Sequence, residues 1–276
     1  MRLGIFDSGF GGLTVYRSVQ ARLPQYDYLY LGDNARTPYG NRSFEAILQF
    51  TKEGVEYLFQ QGCILVVIAC NTASAKALRT LQEQLLPHRY PDRKLLGIIR
   101  PSAEALAQKP KGSHVALWAT EGTVRSQSYA LEMDKLSPSL FLSQLACPLL
   151  VSMVEAGELS GFGVEFFLKQ YWQQTLDLDP EVQSLLLACT HYPLLYPTLR
   201  KLVPAQTEIL IQGDIVAPSL ESYLFRHPEI QKLLTQNGTE EFRTTDQPEG
   251  FERLGSLFLG KKVIADRVSL MKKRQI

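Results

Sequence analysis

Cys70 and Cys189 are the residues of this chain whose type and setting could do chemistry. Each follows an alanine at the end of an apolar run and precedes a polar segment with a threonine, in the stretches LVVIACNTASA and LLLACTHYPLL. A helix dipole lowers the pKa of a thiol that faces the first turn of a helix, below the free value of about 8.5. We therefore expect the pKa of Cys70 to be lowered.

Two thiols on opposite sides of a small substrate suit the inversion of a carbon centre. Inversion removes hydrogen from one face of the carbon and returns it to the other, which a single rigid base cannot easily do. A thiolate and a thiol can act as base and acid and exchange roles with the direction of reaction. His191 could set the proton affinity of Cys189, Asp7 could do so for Cys70, and Glu155 is a candidate acid beside His191.

Three other interpretations of the cysteines stay open on these residues alone. A redox pair is disfavoured because the C-x-x-C spacing is absent. A zinc site from Cys70, Cys189 and His191 has suitable ligand types, although no spacing demands it. Two core cysteines would be the ordinary case for free thiols, but this leaves the polar residues after each thiol unexplained.

The charge balance excludes several classes of partner. The 276 residues include 29 basic and 28 acidic side chains, a net charge of +1. This argues against binding to nucleic acid or a membrane surface through bulk electrostatics. Apolar runs fall short of the roughly 20 residues that a membrane helix needs, and the opening MRLGIFDSG is unlike a signal peptide. Four cysteines without disulfide-like spacing indicate a reducing, cytoplasmic setting.

The elements that must position the thiols alternate between short apolar strands and helical periods. This pattern predicts an α/β fold with helices on both sheet faces. Residues 71–74 are expected to form a polar turn before a helix that begins at Ala75, residues 87–94 a loop, and the stretch before Cys147 an irregular segment. The repeated strand–Ala-Cys–turn layout suggests two similar halves, and ligands bind beyond the carboxyl ends of such strands. The two ends would form a cleft.

Neutral hydrogen-bond donors accompany the strand ends. Residues 7–12, DSGFGG, resemble a glycine-rich anion site at a helix N-terminus, although they match no phosphate-binding motif, and a carboxylate would use the same donors. Further neutral donors recur at the turns: Ser8, Asn71, Thr72, Thr120, Thr123 and Thr190.

Six motifs together resemble those of glutamate racemases, within the aspartate/glutamate racemase superfamily. They are GIFDSGFGGLTV at 4–15, LGDNARTPYG at 31–40, ACNTASA at 69–75, ATEGTV at 119–124, CPLLVSMVEAGEL at 147–159 and ACTHYPLL at 188–195. Asn34 and Thr37 stand where the family pattern has Thr and Val. Arg100 replaces an expected acidic residue, and Gln212-Gly213-Asp214 replaces an Asp-Ser-Gly-like turn. These last two departures bear on lobe packing, dimer contacts or regulation rather than on the chemistry.

The resemblance implies a racemase without cofactor or metal, in two doubly wound α/β lobes with mostly parallel sheets and the active site in the cleft between them. It implies a first lobe from residues 1–97 and 207–276 and a second from 98–206. The expected enzyme is a cytoplasmic homodimer that acts on glutamate, binds neither nucleic acid nor membrane, and supplies D-glutamate for peptidoglycan. The alternatives are a racemase for aspartate or another small amino acid, and a non-catalytic amino-acid-binding protein of the same fold.

The resemblance also implies roles for individual residues. Cys70 and Cys189 would be the two acid/base thiols, assisted by Asp7, Glu155 and His191. The substrate would be bound by residues from all the strand ends: Asp7, Ser8, Pro38, Tyr39, Gly40, Asn71, Thr72, Thr120, Thr123, Thr190 and His191.

Overall fold

The computed structural model describes residues 1–270, which form ten strands in two sheets. The strands are β1 (Arg2–Asp7), β2 (Tyr28–Gly32), β3 (Cys63–Ile68), β4 (Lys94–Gly97), β5 (His114–Ala119), β6 (Phe141–Ala146), β7 (Ser184–Ala188), β8 (Glu208–Ile211), β9 (Glu240–Thr244) and β10 (Ala265–Arg267).

Helices connect the strands. They are α1 (Leu13–Arg22), α2 (Phe44–Gln60), α3 (Asn71–Lys76), α4 (Leu78–Thr80), α5 (Leu86–Arg89), α6 (Ile99–Ala107), α7 (Glu121–Arg125), α8 (Ser128–Leu136), α9 (Pro148–Glu155), α10 (Phe162–Leu178), α11 (Tyr196–Leu202), α12 (Gln212–Arg226), α13 (Pro228–Gln231) and α14 (Pro248–Leu259). A π-helical turn spans Leu81–Leu85, and 3-10 turns span Asn34–Arg36 and Tyr192–Leu195. Within residues 1–270, none of these helices has the length and apolar character to cross a membrane.

Both sheets are parallel, which confirms the predicted α/β class with two parallel-sheet lobes. The first has the order β10-β9-β2-β1-β3-β4, and the second β6-β5-β7-β8. Strands β3 and β7 are buried along their whole length, as the apolar runs before the two cysteines predict. Cys70 and Cys189 therefore follow central strands of separate sheets.

One apolar core joins the two sheets. It contains Tyr16 and Tyr28 from the first lobe together with Trp118 and Leu187 from the second. Tyr16 packs edge-on against Tyr28, with ring centroids 5.4 Å apart. Helix α12 continues this contact, since it leaves the second sheet and packs against α1. The strand ends that carry the cysteines are thus held against each other by packed side chains.

The lobe boundaries at residues 97 and 207 stay predictions. One strand, however, belongs to a different sheet from the one that these boundaries imply. Strand β8, at Glu208–Ile211, pairs with β7 in the four-stranded sheet, although the predicted return to the first lobe is at residue 207. The chain thus reaches the first lobe with α12. The last residues of the predicted first lobe, 271–276, lie outside the described residues.

Several element predictions were wrong in detail. Residues 71–74 form the first turn of α3 rather than a turn ahead of it, because Cys70 caps that helix directly. Residues 87–89, the start of the predicted loop 87–94, are helical and belong to α5, with Pro87 tolerated in the first turn. The stretch before Cys147 is regular and contains α7, α8 and β6. Strands β9 and β10 were not predicted.

Candidate active site

A small cavity between the ends of the two sheets is lined by both candidate thiols. Its volume is about 30 Å³, room for only one or two water molecules. An amino acid therefore enters only if the walls move apart. The lining residues come from six strand-end segments of both lobes: Ser8, Thr37, Pro38, Tyr39, Gly40, Cys70, Asn71, Thr72, Thr120, Val151, Cys189, Thr190 and His191.

Cys70 is the N-cap of α3, and its Sγ accepts a hydrogen bond from the Ala73 N–H at 3.5 Å. The pKa of Cys70 is raised to about 12, because the thiolate is buried and because Asp7 adds negative charge beside it. Hydrogen bonds from Ser8 and Ala73 oppose this shift without reversing it. The expected lowering of the pKa was therefore wrong, since α3 has only six residues and burial outweighs its dipole.

Asp7 ends β1 and is fully buried. Its Oδ2 accepts a hydrogen bond from the Gly9 N–H at 2.9 Å, whereas its Oδ1 has no hydrogen-bond partner among residues 1–270. Burial raises the pKa of Asp7, although attraction to His191 opposes the shift. The carboxyl group thus keeps one acceptor atom free in the interior, next to the residues that line the cavity.

Cys189, His191 and Glu155 form a chain of polar contacts on the second lobe. Nδ1 of His191 lies 4.0 Å from Sγ of Cys189, and Nε2 lies 3.1 Å from Oε1 of Glu155. Burial alone would lower the pKa of His191, but its hydrogen bonds with Cys189 and Glu155 and their charges raise it to about 10. The imidazole therefore carries a proton on both nitrogens at neutral pH and can donate to the sulfur.

The glycine-rich segment of the first lobe touches the Cys189 loop of the second. A Cβ built on Gly11 would lie 2.3 Å from Oγ1 of Thr190 and 2.5 Å from Nδ1 of His191, closer than atoms can approach. The hydroxyl of buried Thr14 lies 2.9 Å from the Thr190 carbonyl oxygen and the same distance from that of Gly11, so it can donate to either. The missing side chain at Gly11 therefore permits the contact between the lobes.

Three threonine hydroxyls bridge the lobes on another wall. Oγ1 of Thr72 lies 2.9 Å from that of Thr120 and 3.3 Å from that of Thr123, which is itself 3.1 Å from Thr120. Hydroxyls can donate or accept and rotate to suit a ligand. This cluster can turn donors toward an anionic group without placing a fixed charge in the cavity.

The loop before α2 supplies a third wall and is anchored by Asp33. Both oxygens of this buried carboxylate accept hydrogen bonds: Oδ2 from the Tyr39 hydroxyl at 2.5 Å and from Arg36 Nε at 2.7 Å, Oδ1 from Thr245 at 2.9 Å. Arg36 also pairs with Glu53, so its charge serves the loop rather than a ligand. The segment that holds Pro38, Tyr39 and Gly40 is thereby fixed from behind.

The sequence pattern of the Asp/Glu/Hydantoin racemase family matches residues 12–216 of this chain. The chain belongs to this family. A curated glutamate racemase of Paracoccus denitrificans is 38% identical over 269 residues, which cover 94% of this chain and 97% of that protein. The enzyme is thus a racemase, an isomerase.

Solved structures of the family agree with this fold. The crystal structure of a glutamate racemase from Francisella tularensis in complex with D-glutamate superposes with a TM-score of 0.86 at 33% identity, and covers 98% of this chain and 97% of that one. The aspartate racemase of Picrophilus torridus gives a TM-score of 0.56 at 17% identity, over 92% of this chain and 99% of that one, and shows the fold alone.

Most predicted site residues of this racemase lie on one cavity. Eleven of the fourteen line it: Ser8, Pro38, Tyr39, Gly40, Cys70, Asn71, Thr72, Thr120, Cys189, Thr190 and His191. Asp7, Thr123 and Glu155 do not line it but lie one contact behind its wall.

Several residues of the site were not predicted from the sequence. Val151, which lines the cavity, lies one turn before Glu155 on α9, so helical spacing from Glu155 could have found it. Thr37, noted only as a departure from the family pattern, also lines the cavity. Gly11 and Asp33 act through contacts that no local pattern reports.

The composition of the site bears on metal binding, on disulfide chemistry and on how an anion could be bound. No group of three His, Cys, Asp or Glu side chains in residues 1–270 is placed to hold a metal ion, so the zinc alternative has no ligand set there. The four cysteines are free and buried. The cavity wall, as far as the structure describes it, contains no lysine or arginine. Hydroxyls and amides are the donors available to an anion, since both ring nitrogens of His191 already contact Cys189 and Glu155.

Proposed function

We propose that this racemase interconverts L- and D-glutamate by proton transfer at the α-carbon between the thiols of Cys70 and Cys189. The observation that carries the proposal is that the two thiols line one cavity from the ends of two different sheets. A substrate carbon between them would have a sulfur on each face. That is the arrangement that inversion without a cofactor requires.

The protonation states support a division of roles between the thiols. Since the pKa of Cys70 is about 12, this thiol holds its proton at neutral pH and can act as the acid. Cys189 lies beside the protonated imidazole of His191, which can donate to a thiolate at that position. In the direction of reaction that begins with a thiolate at Cys189, Cys189 is the base and Cys70 is the acid. The reverse reaction exchanges these roles.

The proton transfer balances within the two thiols and the substrate. The bond between the α-carbon and hydrogen breaks as an S–H bond forms at the first sulfur. The electron pair left on the carbon then takes the proton of the opposite thiol, and the carbon is inverted. The thiols end with their protonation states exchanged, so proton exchange with solvent resets them before a further turnover in the same direction.

The surrounding donors offset the negative charge that develops beside the substrate carboxylate. Hydroxyls of Thr72 and Thr120 and the Asn71 amide line the cavity, where water is scarce and hydrogen bonds to charge are strong. Oδ1 of Asp7 lies one contact behind the cavity wall and has no hydrogen-bond partner among residues 1–270, so it can accept a hydrogen bond from the substrate ammonium group once the walls move apart. These neutral and acidic groups together suit an amino acid with both an ammonium and carboxylates.

Glutamate is favoured over aspartate by the relatives that match nearly the whole chain. The Paracoccus denitrificans relative is named a glutamate racemase, and the Francisella tularensis structure holds D-glutamate. Operation as a cytoplasmic homodimer that supplies D-glutamate for peptidoglycan follows from the motif resemblance and stays a prediction.

The proposal is tested by incubating the purified protein with each enantiomer of glutamate and of aspartate, after treatment with a chelator and without pyridoxal phosphate. We expect chiral chromatography to show glutamate approaching an equal mixture from both sides, with aspartate about 10- to 200-fold slower. Faster inversion of aspartate would support the alternative substrate. Binding of glutamate without inversion would support the non-catalytic protein.

A further inference from the structure

Gln212, the first residue of α12, is buried in a closed network of polar side chains. Its Oε1 accepts a hydrogen bond from Asn71 Nδ2 at 2.5 Å. Its Nε2 donates to Ser102 Oγ at 2.9 Å and to the Tyr129 hydroxyl at 2.8 Å, and lies 3.2 Å from Asn71 Oδ1. The network thus joins the starts of α3 and α12 with α6 and α8.

The direction of every hydrogen bond in this network is determined. The Ser102 hydroxyl donates to the Ile98 carbonyl oxygen, so it can only accept from Gln212. The Tyr129 hydroxyl donates to Asn71 Oδ1 at 2.8 Å and therefore also accepts from Gln212. Both hydrogens of the Gln212 amide are then used, and its oxygen must face Asn71 Nδ2. A flipped amide at either residue would bring like groups together.

Asn71 connects this network to the chemistry. It directly follows Cys70 and lines the cavity. One hydrogen of its Nδ2 is held by Gln212, which leaves the second for a ligand. If the side-chain amide of Asn71 flipped by 180°, Oδ1 would take the place of the Nδ2 donor and would repel a carboxylate. The orientation of one amide therefore decides whether this wall attracts or repels an anion.

We propose that Gln212 is a positioning residue for the racemase reaction, which fixes the Asn71 amide so that an N–H group faces the substrate. This inference rests on the proposed function, since it concerns the binding of the same anionic substrate. The motif resemblance leads to an acidic residue at position 212. An amide there supplies two donors that a carboxylate lacks and adds no buried charge near the thiols.

The test is a double-mutant cycle between Gln212→Leu and Asn71→Ala, with KM and kcat measured for glutamate. Gln212→Leu should raise KM about tenfold, the effect of one hydrogen bond to a charged group, and change kcat less than about threefold. In the Asn71→Ala background it should change KM less than about twofold. An equal change of KM in both backgrounds, or no change in the wild-type background, would overturn the proposal.

Two further variants separate positioning from general stability. Thr175→Val removes a buried hydrogen bond from Trp118 in the second lobe, at 2.8 Å, and should lower Tm without changing KM. Tyr129→Phe removes the other donor to Asn71 and should raise KM even if Gln212→Leu does not fold. An unchanged KM for Tyr129→Phe, or a raised KM for Thr175→Val, would contradict positioning through Asn71.

The same experiments distinguish this inference from the proposed function. If the wild-type protein does not racemise glutamate, the proposed function fails. A neutron structure of Gln212→Leu, which distinguishes the amide oxygen from the amide nitrogen, then still reports the orientation of the Asn71 side chain. A turned or disordered amide is the expected result, and an unchanged amide would overturn the inference.

Discussion

Nε2 of His191 lies 3.1 Å from Oε1 of Glu155, and this contact links the loop after β7 to the end of α9. His191 is buried, whereas the Glu155 side chain retains 24% of its exposure. Glu155 therefore keeps contact with solvent while its Oε1 pairs with the buried imidazole. The pair places a positive charge beside Cys189 without a lysine or arginine in the cavity wall.

Glu155→Gln should remove the charge that favours protonated His191. We expect kcat/KM to fall about 10- to 100-fold, the effect of one charge-assisted hydrogen bond, and the alkaline limb of the pH profile to move to lower pH. The matched control is Glu158→Gln, which removes an exposed charge three residues after Glu155. This variant should change neither kcat/KM nor the pH profile. An unaltered pH profile for Glu155→Gln would contradict the role of the pair.

The same contact affects stability, with a defined sign. The pKa of His191 rises from 6.5 in the unfolded chain to about 10 in the folded protein. The stabilisation is therefore complete below pH 6.5 and is lost as the pH rises through 10. Urea unfolding from pH 6 to 10 should show a steeper loss in the wild type than in Glu155→Gln. Parallel curves would argue against a charged His191.

Asp7→Asn should make the protein more stable and less active. Burial raises the pKa of Asp7 above 3.8, so the folded state disfavours the ionised carboxyl group. The free energy of unfolding therefore falls as the pH rises from 3.8 through the pKa of the folded protein. We expect a gain of about 1 kcal/mol or more at pH 7 and a smaller gain at pH 4. A loss of stability at pH 7, with activity retained, would contradict this account.

Gly11→Ala should push the Thr190–His191 loop away from the first lobe. The new Cβ would meet Oγ1 of Thr190 and Nδ1 of His191 below 2.6 Å, so we expect kcat/KM to fall about 100-fold or more. Gly163→Ala, on a helix with open space around the position, is the control and should leave activity unchanged. Wild-type activity in Gly11→Ala would show that the loop can move without consequence.

Asp33→Asn should loosen the loop that holds Pro38, Tyr39 and Gly40. Removing a buried charge beside Arg36 is expected to cost about 3 kcal/mol and to raise KM, because Tyr39 loses its charged acceptor. The comparison is Glu83→Gln, which breaks the exposed pair with Arg79 and should leave the free energy of unfolding unchanged within the error of the measurement. Equal losses of stability in the two variants, measured by urea unfolding, would contradict the anchoring role.

The sequence was sufficient for the elements whose local pattern is strong. The sequence pattern predicts a helix over residues 13–22 and strands over 114–119 and 184–188. Helix α1 and strands β5 and β7 have these bounds, because apolar periodicity and polar ends coincide there. Strand β9 reads EEFRT, and its charged side chains conceal the buried positions Phe242 and Thr244. Strand β10 has three residues, two of them exposed. A strand made mostly of charged residues, such as β9, or one of only three residues, such as β10, carries too little apolar signal to be predicted.

The candidate site was predictable where chemistry repeats along the chain, and not where it depends on packing. The repeated strand–Ala-Cys–turn layout at Cys70 and Cys189 predicts that the two thiols lie at one cleft, and both line the cavity. The contact of Gly11 with Thr190 spans about 180 residues and arises only when the lobes meet. The direction of the Cys70 pKa shift likewise depends on burial, which outweighs the local helix signal.

The proposed racemisation requires the two thiols to act on opposite faces of the α-carbon. The most direct measurement follows L-glutamate in heavy water by proton NMR and mass spectrometry during the first turnovers. We predict that D-glutamate appears fully deuterated at the α-carbon while the remaining L-glutamate keeps its hydrogen, and that Cys70→Ser and Cys189→Ser each abolish inversion. Original α-hydrogen carried into D-glutamate, or full inversion in either variant, would contradict the two-thiol account.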